Sequence, residues 1–231
     1  MRYVKDTTGR FPERPYFEPG ELDELCEHII EKFLIAKYGD ICYPIPTDGL
    51  ELLLEQHDVI LDCYADLSAH GEDTDGATVF EPGFPTRVYI SRALSEDRTR
   101  ENRFRTTLAH EFGHVVLHGP IYSAARTGDL FESQRTSGAT CTRRSVEAVP
   151  QTDWIEWQAG YVSGALLMPI SLLKEVAIGI LDGAGCVPID SAGGKDLVGR
   201  VVQTFQVSHQ AAEVRLQQAG LLDPCGLSRL F

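Results

Sequence analysis

The alternation of apolar and polar residues along the chain marks out helices, a few short strands and one long stretch with neither period. From 21 to 38, ELDELCEHIIEKFLIAKY carries apolar residues at helical spacing, acids in its first turn and Gly39 as a stop. Residues 45–58, IPTDGLELLLEQHD, read as a second helix, and 59–67, VILDCYADL, as a strand. Two β-rich runs around a Pro/Gly turn, GATVFEPGFPTRVYIS at 76–91, predict a hairpin. A charged segment then leads into an apolar helix that includes 108–119, LAHEFGHVVLHG. Residues 119–153 are polar without clear periodicity, and a connection that long in a compact domain is usually functional or locally disordered. Another helix is expected at 153–169, DWIEWQAGYVSGALLMP, ending at Pro169. A helix at 170–181, a Gly-rich break at 183–194 and a two-helix segment at 197–222 complete the pattern. Residues 1–20, rich in Pro, Gly and charge, predict an extended arm packed on the surface or disordered. The sum is an α+β fold with a small, mostly antiparallel sheet and helices against it. The expected divisions are an arm and helix at 1–44, a core at 45–182 and a helical region at 183–231.

The helix at 108–119 breaks its own pattern with His110, His114 and His118, spaced four apart, and with Glu111 after the first. Positions four apart lie about 40° apart round a helix and one turn along it, so His110 and His114 can reach one ion from the same face. Glu111, about 100° round, can reach a water at that ion but not easily the ion itself. This H-E-x-x-H spacing is the zinc-peptidase arrangement, with the carboxylate as proton acceptor for the attacking water. The competing reading is a core helix with two satisfied histidines, but burying His-Glu-His among apolar flanks has little structural benefit.

The third ligand decides the subclass. A metzincin needs a histidine six residues beyond the pair, and Pro120 stands there. Three histidines four apart spread over about 12 Å along the axis, too far for one ion, so His118 is expected to cap the helix end before Gly119. An acid on the 153–168 helix remains, and Glu156 is the candidate. Its face continues with Gly160, Ser163 and Gly164, small residues that would let the two helices approach. The alternative is a solvated surface glutamate beside Trp154 and Trp157.

Taken together, RFRTTLAHEFGHVVLHG and DWIEWQAGYVSGALLMP resemble the ImmA/IrrE family of bacterial metallopeptidases, over roughly residues 45–222. The resemblance implies a zincin-like, gluzincin-type fold with zinc held by His110, His114 and Glu156, and Glu111 as general base. It also implies a helix-turn-helix repressor or similar regulatory protein as substrate. Many relatives have Asn where this chain has Gly160, and Phe-Ala where it has Tyr161-Val162. A Cys-Arg element before the second helix is also shared with some relatives. Cys141 is therefore weighed as a fourth ligand, with a structural thiol preferred. RVYIS, 87–91, is the candidate edge strand for substrate. Tyr161, His118 and Tyr122 are the candidate oxyanion stabilisers.

Composition narrows the alternatives. The net charge of −13 disfavours broad contact with nucleic acid, although 197–222 has the rhythm of a helix-turn-helix around Val207-Ser208. No apolar run is long enough to span a membrane, and the N-terminus lacks the core of a signal peptide, so a cytoplasmic protein is expected. The six cysteines include no C-x-x-C pair and are expected to be reduced and mostly buried. The resulting expectation is a narrow-specificity zinc endopeptidase. The alternative is a metal-stabilised regulatory or toxin-antitoxin protein acting by contact.

Overall fold

The computed structural model describes residues 1–71, 73–81, 83–124, 139–144 and 153–224, with the backbone alone at 124 and 139–144. In chain order the elements are β1 (Arg2–Lys5), β2 (Glu13–Tyr16), α1 (Pro19–Tyr38), α2 (Thr47–Glu55), β3 (Val59–Ala65), β4 (Thr74–Phe80) and β5 (Thr86–Ser91). There follow α3 (Arg92–Ser95), α4 (Glu101–Ala124), β6 (Ala139–Arg144), α5 (Trp154–Leu167) and α6 (Ile170–Leu181). Then come β7 (Val187–Pro188), α7 (Ala192–Phe205), α8 (His209–Gln218) and β8 (Leu222–Asp223). The protein is α+β. It divides into two units, each made from separated segments: 1–18 with 47–163, and 19–46 with 164–231. Among the described residues, no single helix is long and apolar enough to cross a membrane.

The first unit is built on a four-stranded sheet in the order β3-β5-β4-β6. β3 and β5 are parallel, while β4 pairs antiparallel with both β5 and β6. The expected hairpin at 76–91 is present as β4 and β5. The structure corrects the choice of RVYIS as an edge: β5 is hydrogen-bonded on both sides, and the described edges are β3 and β6. Alternation of apolar residues reports which face is buried, but it does not report which strand lies outermost. β6 arises inside the stretch read as structureless. In its register Cys141 stands opposite Thr78, while the Cys141 side chain lies outside the described parts.

α4 crosses the sheet and is buried nearly all round, which is why its sequence shows little amphipathic contrast. Asp97 caps the 3-10 turn Arg98–Arg100 that leads into it by accepting from the Thr99 amide, and Asp75 of β4 pairs with Arg103 in its first turn at 2.6 Å. Contrary to expectation, α4 does not end at Gly119 but runs through Pro120 to Ala124. A proline inside a helix costs about 3 kcal/mol or more. The last turn is held by packing instead: Phe80, Trp154 and Ile155 form a cluster joined by Phe11, Ile121 and Tyr122, with Tyr122 stacked on Phe80 at 4.6 Å. The arm at 1–18 is ordered too. β1 and β2 pair antiparallel, Phe11 packs edge-on to Tyr122, and Arg10 pairs with Asp153 at 2.8 Å.

In the second unit, α1 buries Leu22, Cys26, Ile30, Phe33 and Leu34 along one stripe. The two-helix segment is present as α7 and α8. Gln206 takes a left-handed conformation at the end of α7, and Ser208 caps α8 by accepting from the Ala211 amide. The one cation of α8, Arg215, is turned inward, where it donates to Asp23 at 2.7 Å and to the Met168 carbonyl at 3.0 Å. A helix whose cation is buried in an ion pair has none to offer a phosphate. Cys26 is buried, and Cys42, Cys63 and Cys186 are half-buried, all as free thiols. Burial pushes the Cys26 and Cys63 thiols up to about 12, which keeps them protonated and unreactive.

Candidate metal centre

α4 and α5 meet through a glycine. A Cβ on Gly113 would stand 2.9 Å from the Cα of Ala159, so only a residue without one allows the two backbones this close. The Ser163 hydroxyl donates to the Thr106 carbonyl at 3.0 Å along the same contact. The expected small-residue face is therefore corrected in part. Ser163 does bridge to α4, but Gly160 is exposed and a Cβ there meets nothing within 4 Å.

This contact brings His110, His114 and Glu156 together as a group that could hold a metal ion, their ligand atoms all within 4.8 Å of one another. The two Nε2 atoms lie 3.1 Å apart. His110 Nε2 is 3.1 Å from one oxygen of Glu156, and His114 Nε2 is 3.5 Å from the other. A tetrahedral ion with bonds of about 2.0–2.1 Å keeps its ligands about 3.3 Å apart, so the spacing suits one. His114 is fully buried and His110 5% exposed. Burial works against a charged Glu156, but the hydrogen bond from His110, with His114 also beside it, outweighs that and holds the carboxyl well below the usual carboxylate range. Two imidazoles and one carboxylate form a donor set suited to a borderline divalent cation.

Glu111 is fully buried and presses against β4. The Thr78 hydroxyl donates to its Oε2 at 2.7 Å. A Cβ on Gly76 would fall 2.6 Å from its Oε1 and 2.8 Å from Thr107 Cγ2, so the strand must be bare at that point for the carboxylate to fit. Thr78 and Gly76 were not singled out from the sequence. The available signal was a polar residue and a glycine in a run otherwise fit for a buried strand.

His118 is not a cap. It sits inside α4, fully buried, with Nδ1 3.0 Å from His114 Nδ1 and Nε2 3.1 Å from Gln158 Oε1. Burial first, and then the neighbouring His114, push it down to about 3. With both nitrogens engaged inside the protein, His118 leaves the set of candidate oxyanion stabilisers. Of the other two, Tyr161 is buried beside Trp157 and Tyr122 is half-buried in the aromatic cluster. Gln158 was also missed, and its amide nitrogen donates to the Pro15 carbonyl at 3.0 Å.

No protein-family model matches the chain, and comparison with curated proteins finds no match.

Proposed function

We propose that the protein is a zinc-dependent endopeptidase of narrow specificity, with a zincin-like fold related to the ImmA/IrrE metallopeptidases. Its substrate is a helix-turn-helix repressor or similar regulatory protein of the cytoplasm. The observation that carries the activity is the convergence of His110, His114 and Glu156 beside a buried Glu111 clamped by Thr78. The substrate class rests on the sequence resemblance alone.

His110, His114 and Glu156 would hold the ion. Zinc bound there supplies a Lewis acid that polarises the scissile carbonyl and acidifies a water. Glu111 does the proton work: a carboxylate oxygen accepts the proton of the attacking water and delivers it to the leaving amine nitrogen as the C–N bond breaks. Thr78 holds that carboxylate in one orientation throughout. A pure binding module has no use for a base clamped in this way.

The test is Glu111→Gln, with bound zinc and cleavage of helix-turn-helix proteins encoded nearby measured on one preparation. Zinc should remain stoichiometric while turnover falls about 10²–10⁴-fold. A variant that cleaves, or derepresses its target, as well as wild type would leave action by contact as the explanation.

A further inference from the structure

We infer that a hydrogen-bond relay running from the N-terminal hairpin through Gln158 and His118 sets the tautomer of His114, so that its Nε2 lone pair faces His110 and Glu156. The inference rests on the metal reading above, and it assigns a positioning role to residues that touch no reacting atom.

The direction of every proton follows from the end of the chain. A backbone carbonyl only accepts, so the Gln158 group 3.0 Å from the Pro15 oxygen must be its NH₂. The amide oxygen then faces His118 Nε2 at 3.1 Å, and that nitrogen must donate. His118 is wholly buried and neither of its ring contacts is a carboxylate, so the ring is neutral and its Nδ1 carries a lone pair. Among the described residues the group facing that lone pair is His114 Nδ1, at 3.0 Å, which therefore bears the hydrogen. A neutral imidazole has one N–H. His114 Nε2 is left as an acceptor, aimed at His110 Nε2 and Glu156.

A relay of this kind has two effects. It fixes the ring plane of His114, and it excludes the tautomer that would turn an N–H toward the ion. Outer partners of this sort are typically worth about 10–100-fold in metal affinity. It also gives the ordered arm a purpose, since the strand carrying Pro15 fixes the amide on which the sequence of donors depends.

The test begins with metal-free wild-type protein and long-range ¹H–¹⁵N correlation of the histidine rings. The relay requires opposite tautomers, with the proton on Nε2 in His118 and on Nδ1 in His114. A protonated Nε2 on His114 overturns it without any variant being made. Gln158→Leu and His118→Phe should then each lower zinc affinity about 10–100-fold by competition titration. In each variant, the His114 signal should shift toward the Nε2-protonated form, while thermal unfolding reports the fold separately. Unchanged affinity and tautomer in both folded variants would also overturn the relay, with the peptidase reading intact. The expected tautomers in a protein that binds no zinc would instead leave the relay standing and remove the peptidase.

Discussion

The two units each bury charge, and they do so in opposite ways. In the second, Arg215 and Asp23 meet at 2.7 Å, and a spare guanidinium hydrogen goes to the Met168 carbonyl. The charges are of opposite sign and close on each other. In the first, the buried groups are two imidazole nitrogens and a carboxylate, all able to donate electron pairs and all turned to one point. Its outer members, His118 and Gln158, are matched donor to acceptor as far as the Pro15 carbonyl. A buried polar cluster that completes itself is architecture. One that is paired on the outside and converges on ligand atoms within is a group that could hold a metal ion.

Breaking each cluster should therefore damage a different property. Arg215→Met leaves Asp23 buried without its partner and should cost about 3–5 kcal/mol of unfolding free energy, with zinc affinity of the folded protein unchanged. Glu156→Gln should do the reverse. Zinc affinity should fall at least about 100-fold, beyond what outer partners typically contribute, while the metal-free protein unfolds within about 1–2 kcal/mol of wild type. If chemical denaturation and zinc titration give both variants the same profile, the distinction between the clusters is wrong. Gly76→Ala sharpens the contrast inside the first unit. The new methyl collides with the Glu111 carboxylate, so turnover should fall up to about 10²-fold with zinc retained. Equal turnover would mean that Glu111 tolerates displacement.

The smallest effect concerns the hairpin. Asp6 is partly shielded, which raises its pKa. Hydrogen bonds from Thr8 and Phe11 outweigh this and lower it from the ordinary 3.8. Because the folded value is the lower one, the contribution is complete above about pH 4 and is lost as pH falls through the folded value. The Thr8 and Phe11 amide shifts should titrate with a midpoint below 3.8. A midpoint at or above 3.8 would show that the turn does not stabilise the carboxylate.

Local pattern made much of this legible. The helices, the hairpin, the His110-His114 pair and Glu156 all follow from spacing and residue type within a few turns. What escaped was set by contacts between distant segments. α4 continues past Pro120 because Phe80, Trp154 and Phe11 hold its last turn, and those residues come from three other parts of the chain. His118 was misread for the same reason, since its partner Gln158 is forty residues away. β6 pairs by backbone register with β4, and its polar sequence carries no period to announce it. Gly160 was given a role in helix packing that belongs to Gly113, because a helical face read from one helix does not tell where the other crosses it.

The interleaving of the two units also sets a timetable. Residues 1–18 and 47–163 belong together, as do 19–46 and 164–231, so neither unit can close until its later segment has been made. His110 and Glu156 are separated by 46 positions, which at about 5–20 residues per second take about 2–9 s to translate. For that interval the nascent chain displays His110, Glu111 and His114 on α4 before α5 is made to face them. α1 waits for Arg215, which lies 192 positions after Asp23. Assembly of the His110, His114 and Glu156 group and burial of Asp23 are thus tied to the arrival of α5 and α8 rather than to the helices made before them.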